Sequence, residues 1–182
     1  MKYLISFAFV LLLTAASCKK NNITEQLPPE THEGKFTFGC KVDGKIYTAQ
    51  GKGGLLGFDH VYYVLGSSDN SISIGAGTSD NSKAKFNVFF KINYADKIGI
   101  YLMKIYPYEG IFYNDSDGTI PDGSNTFTTS EAHVGTVNIK YFNGSYNPYN
   151  KGTILSGTFE MDAVNAEGKV IHITEGRFDI GQ

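Results

Sequence analysis

The sequence predicts an all-β domain, mostly antiparallel and built as a β-sandwich, with a closed or partly closed antiparallel barrel as the alternative. Three observations lead there. The first is composition: of 182 residues, 21 are Gly, 13 Phe and 12 Tyr, while charged residues make up only 19%. Gly therefore exceeds its common share of roughly 7% and charge falls below the usual quarter or so, which excludes a coiled coil or long-helix protein. The second is strict alternation of apolar and polar residues over several short runs, with no helical period. The third is a turn signal roughly every 8–12 residues, the rhythm of a sandwich or barrel. The 41% of apolar residues can supply a core, which excludes disorder. A net charge of −2 offers no concentrated basic face, so nucleic acid is not an expected partner.

The chain opens on a segment that does not belong to that domain. Lys2 is followed by an apolar run from Leu4 to Leu13, then by the small residues Ala15, Ala16 and Ser17. This is the pattern of a secretory signal peptide over residues 1–17, too short for the roughly 20 apolar residues of a membrane-spanning helix. Cys18 follows at once. Thr14-Ala15-Ala16-Ser17-Cys18 resembles the lipobox of bacterial lipoproteins, with Ala15 where Leu is usual, and Ser17-Cys18-Lys19-Lys20 is similar to processing sites in Bacteroidota lipoproteins. The resemblance implies that Cys18 is acylated, that the membrane is a partner, and that the protein sits in the cell envelope, at the outer membrane. Cys40 is then the only thiol left, and it cannot form an intramolecular disulfide.

Residues 18–34 hold only Ile23 and Leu27 as large apolar residues and carry Pro28-Pro29, so they read as a lipidated N-terminus and flexible tether. Residues 35–182 form the domain. Its first strand alternates Phe36, Phe38, Cys40 and Val42 with Lys35, Thr37, Gly39 and Lys41. Asp43-Gly44 then marks a two-residue hairpin, because a type I′ turn needs positive φ at both central positions. That turn pairs Val42 with Lys45 and Cys40 with Tyr47. Further strands are expected over 60–65, 71–76, 85–94, 98–105, 125–129, 136–142, 154–164 and 169–180. In the third of these, Phe86, Val88, Phe90, Ile92 and Tyr94 face one way. In the last hairpin a three-residue loop, Ala166-Glu167-Gly168, pairs Ala163 with Ile171, Met161 with Ile173 and Asp162 with His172. The apolar parity flips between Ile173 and Phe178, which calls for a bulge near Gly176.

Two stretches carry a wider likeness. One runs through Phe36, Phe38, Cys40, Val42, Asp43, Gly44, Lys45 and Tyr47. The other joins Gly135-Thr-Val-Asn-Ile, Ser156-Gly-Thr-Phe and Ile173-Thr-x-Gly-Arg-Phe-Asp-Ile180. Together they resemble a family of uncharacterised Bacteroidota lipoproteins with a small all-β domain. The likeness implies a fold and assigns no reaction.

Chemistry-bearing residues are few. Cys40 shares a face with Phe36 and Phe38, so it reads as a buried, inert thiol rather than a nucleophile. His32, His60, His133 and His172 show no metal-ligand spacing, and no metal site is assigned. Asn114-Asp115-Ser116-Asp117-Gly118 with Asp122 reads as a solvated acidic turn, with calcium as the alternative, because Tyr113 and Ser124 stand where a calcium loop needs acids. Glu160 and Asp162 share the face opposite the apolar set, and no hydrolase or phosphate-binding motif is present. Aromatic residues read as loop residues are the strongest ligand-binding candidates: Tyr106, Tyr108, Tyr113, Tyr146 and Tyr149 offer flat apolar faces with a hydroxyl tip. The bland reading has them covering the ends of the sheets. The expected function is thus a lipid-anchored, non-enzymatic binding or accessory module of the envelope, for a glycan or peptide. A surface hydrolase and a structural partner in an envelope complex are the alternatives. An exposed sheet edge or apolar patch would be the sign of the latter.

Overall fold

Apolar alternation builds the molecule strand by strand. The computed structural model describes residues 26–51, 59–65, 71–80, 83–92, 97–104, 110–114, 126–144 and 152–181, which contain no helix. The strands are β1 (Thr37–Val42), β2 (Lys45–Gln50), β3 (Asp59–Leu65), β4 (Ile72–Asp80), β5 (Lys83–Ile92), β6 (Gly99–Met103), β7 (Gly110–Asn114), β8 (Thr126–Thr128), β9 (Gly135–Asn143), β10 (Ile154–Val164) and β11 (Val170–Gly181). Every ladder between them is antiparallel.

The fold is an antiparallel β-sandwich. One layer runs β6-β9-β10-β11-β1-β2 and the other β8-β7-β5-β4-β3. They are joined through β10, which pairs with β9 along Ile154–Met161 and reaches β8 at Val164, opposite Thr128. Across the interior, the Phe90 ring of β5 lies 5.1 Å from Phe159 of β10 and 5.9 Å from Phe178 of β11. Phe86 meets Tyr47 of β2 edge-on at 5.1 Å. Around them Ile72, Ile74, Val88, Ile92, Leu155, Ile173 and Ile180 are buried, giving one continuous core. The described ladders do not close into a barrel: β2 and β3, at the two ends of the strand order, share no ladder. They meet where the Val61 N–H donates to the Gly51 carbonyl, 3.0 Å away.

The two hairpins whose register the sequence specifies form as expected. Val42 pairs with Lys45 and Cys40 with Tyr47, across a turn in which Asp43 and Gly44 have φ of 47° and 82°. Ala163 pairs with Ile171, Met161 with Ile173 and Asp162 with His172, with Gly168 at φ 81°. The bulge forms near Gly176 as expected, on the adjacent Glu175 at φ 52°. It is an extra residue of β11 relative to both neighbours, since the ladder to β1 shifts at the same place. β7 is a strand the sequence reading lacks. It takes Phe112 and Tyr113 out of a loop and pairs Tyr113 with Asn87 on one side and Thr126 on the other.

Candidate functional site

The outer face of the first layer carries polar side chains, because its inner face is spent on the core. β9 contributes Thr136 and Asn138, β10 contributes Ser156, Thr158, Glu160 and Asp162, and β11 contributes Arg177 and Asp179. The segment before β1 lies across this face, so the described end of the stretch expected as a tether, from Leu27 to Gly34, is bonded to the domain. Its hold is polar rather than apolar. The Asp179 carboxylate accepts hydrogen bonds from the Thr31 hydroxyl and from the N–H groups of Glu33 (3.1 Å), Gly34 (2.8 Å) and Lys35 (3.4 Å). Asp179 is only 1% exposed. Burial alone pushes its pKa up, but these donors outweigh burial and hold it below the ordinary carboxylate value. His32 stacks on Tyr141 at 5.4 Å and bonds the buried Ser156 hydroxyl, while Glu30 pairs with Lys140. Arg177 Nη1 donates to the Pro28 carbonyl at 3.4 Å. Pro28 also sits so close over Gly39 that a Cβ there would come within 2.6 Å of its ring. We call residues 27–35 the strap.

Beside the strap lies an open groove of about 360 Å³. Ile100 of β6 stands at one end, Asn138 and Thr158 line the floor, and Glu175, Arg177 and Glu30 close the other. The bulge is what brings Glu175 there, where it meets Lys41 at 2.5 Å and Arg177 at 3.8 Å. Hydrogen bonding to Lys140 holds Glu30 below the ordinary carboxylate value, against its own partial burial. Most of the charge in the groove is therefore internally paired, leaving hydroxyl and amide groups, the exposed Glu160, and an apolar end. Such a lining suits a polar ligand with many donors and acceptors and little net charge.

The other candidates fall apart from this groove. Cys40 is fully buried, and burial pushes its thiol up to about 12, the inert reading. His172 Nδ1 lies 2.7 Å from Asp162 Oδ1 on the exposed face; that hydrogen bond and the Asp162 charge raise the imidazole above its ordinary value. His133 closes a turn with Ser130. No three His, Cys, Asp or Glu side chains among the described residues gather as metal ligands. Cys18, Tyr106, Tyr108, Tyr146, Tyr149, Asp115, Asp117 and Asp122 lie outside the described residues. Tyr113 stands in β7 rather than in a loop. The sequence reading lacks the groove and the strap altogether. Only the outward parity of Asn138, Thr158 and Glu160 on their strands points to the groove.

Fold and groove together define an all-β, antiparallel sandwich with a polar recess on one outer face. Compared with protein-family models, curated proteins and solved structures, the chain matches none of them.

Proposed function

We propose that the chain is a lipid-anchored protein of the cell envelope, held at the outer membrane through acylated Cys18, and that its sandwich is a non-enzymatic binding or accessory module for a glycan or peptide. The observation that carries the binding half is the groove across β6, β9, β10 and β11. Glu30 is paired by Lys140 and Glu175 by Lys41 and Arg177, which leaves Glu160 as the one exposed carboxylate beside the neutral hydrogen-bonding groups of Thr136, Asn138 and Thr158. The anchoring half rests on the Ser17-Cys18 junction after the apolar run. Probing the acylated full chain on glycan and peptide arrays tests the reading. The expected result is a hit that Thr158→Arg abolishes, since the added side chain fills the floor of the groove. Arrays without a hit, or a hit indifferent to Thr158→Arg, would show that the groove is not a binding site for these ligands.

A further inference from the structure

One strand of the first layer is apolar on the wrong side. β6 stands at the end of the layer, with β9 as its one ladder partner among the described residues. Ile100 faces outward opposite Asn138, and Leu102 opposite Thr136. Ile98, Ile100 and Leu102 are 58%, 70% and 54% exposed, and Val134, just before β9, is 36% exposed. Single exposed apolar residues are ordinary, but a contiguous run on one face marks an interaction surface. Lys97 precedes the run and Lys104 follows it. Lys104 pairs with Glu131 at 3.4 Å and Lys140 with Glu30, so the rim is close to neutral and apolar contact dominates.

The strap indicates what meets this strip. The chain arrives on the same outer face, with Leu27 and Pro28 lying over Gly39 of β1. Cys18 is nine residues earlier, so the intervening backbone reaches at most about 30 Å. β1 and β6 are four strand positions apart, about 19 Å at the usual spacing. An acyl chain on Cys18 therefore holds this face within one short arm of the bilayer, at a high local concentration of lipid.

We propose that the outer face of the first layer rests on the bilayer that anchors the chain, with Ile98, Ile100 and Leu102 entering the boundary between headgroups and acyl chains. Lys97 and Lys104 stay at headgroup level, their stems along the apolar strip. The groove then opens at the membrane surface, and its ligand is one presented there. This inference rests on the proposed acylation of Cys18.

The test uses the full chain purified from the membranes of a bacterium that processes lipoproteins, with Leu102→Cys carrying an environment-sensitive fluorophore; Cys40 is buried and stays unlabelled. A second sample carries the label at Glu167→Cys, on the exposed tip of the β10–β11 loop. Both are reconstituted into vesicles of a roughly 3:1 mixture of phosphatidylethanolamine and phosphatidylglycerol containing a doxyl-labelled phospholipid. The expected result is quenching at position 102 at least about threefold stronger than at 167, little changed by added salt, and weakened by Ile98→Ser with Ile100→Ser. Chain that fails to float with the vesicles overturns the acylation reading. Chain that floats but is quenched equally at both positions, or at neither, overturns the seating while leaving the anchor intact. Shielding of the label without lipid quenching, together with a mass of two chains, assigns the strip to a second copy and also overturns it.

Discussion

Asp179 does for the strap what no apolar residue could. The stretch before β1 has too few large side chains to be held by burial, so its backbone N–H groups are gathered on one carboxylate instead. Removing that carboxylate leaves the part-buried N–H groups and the Thr31 hydroxyl without their acceptor, and donors left unpaired there are costly. Asp179→Ala is expected to lower stability by about 2–3 kcal/mol, with faster amide exchange confined at first to residues 31–35. The pH dependence has a fixed sign. Because the folded pKa is below the unfolded one, the contribution is fully present above the unfolded value and fades as pH falls through the folded value. The wild-type chain should therefore lose strap protection only below the ordinary carboxylate range, and Asp179→Ala should lack that acid transition. Exchange that is uniform along the chain, or unchanged in the variant, would contradict this account.

At the scale of elements, the bulge at Glu175 explains how one strand serves two ladders. Ile173 and Phe178 are five residues apart, an odd interval, yet both face the core. One residue must therefore stand out of the alternation, and it does so against both β10 and β1. Deleting Glu175 makes the interval even and the ladders flush. It relieves a non-Gly residue from positive φ, worth about 1–2 kcal/mol, and gives up surface ion pairs worth up to about 1 kcal/mol. The deletion is expected to fold with stability within about 2 kcal/mol of the parent, whereas deleting Thr158 reverses the facing of half of β10 and abolishes folding. Urea unfolding of the two deletions decides it, and a Glu175 deletion that fails to fold would mean that the bulge holds the register itself. This bulge is also a measure of legibility. The hairpins at Asp43-Gly44 and at Gly168 could be read because their turn chemistry and apolar parity are local. β7 could not, since Ile111-Phe112-Tyr113 is a continuous apolar and aromatic run with no alternation to assign faces. The strap was missed for a different reason: its partners lie more than 100 residues away, and three of its bonds to Asp179 run through the backbone. The groove likewise assembles from four strands and the strap, so no single stretch of sequence carries its signature.

On the scale of the whole molecule, β10 binds the two layers into one cooperative unit. It ladders with β11 and β9 in the first layer, touches β8 of the second, and sends Phe159 between them. The Phe159 ring lies 5.0 Å from Phe38 and 5.1 Å from Phe90, so it packs against its own layer and the opposite one at once. The Cα of Gly176 is seated against the same ring, where a Cβ would come within 2.7 Å of it. Truncating Phe159 to alanine leaves a cavity that neither layer can fill alone, because β10 is pinned by ladders on both edges. The expected cost is about 3–5 kcal/mol, a typical value for a buried Phe→Ala change. For a domain of this size that corresponds to a fall in Tm on the order of 10 °C. Since the two layers share the ring, they should lose structure together: the far-ultraviolet signal of the strands and the near-ultraviolet signal of the packed tyrosines should melt at one temperature in both parent and variant. Two separated transitions in Phe159→Ala would mean that the layers are stable independently, and that the one ladder pair of β10 with β8, at Val164 and Thr128, is a hinge rather than a seam.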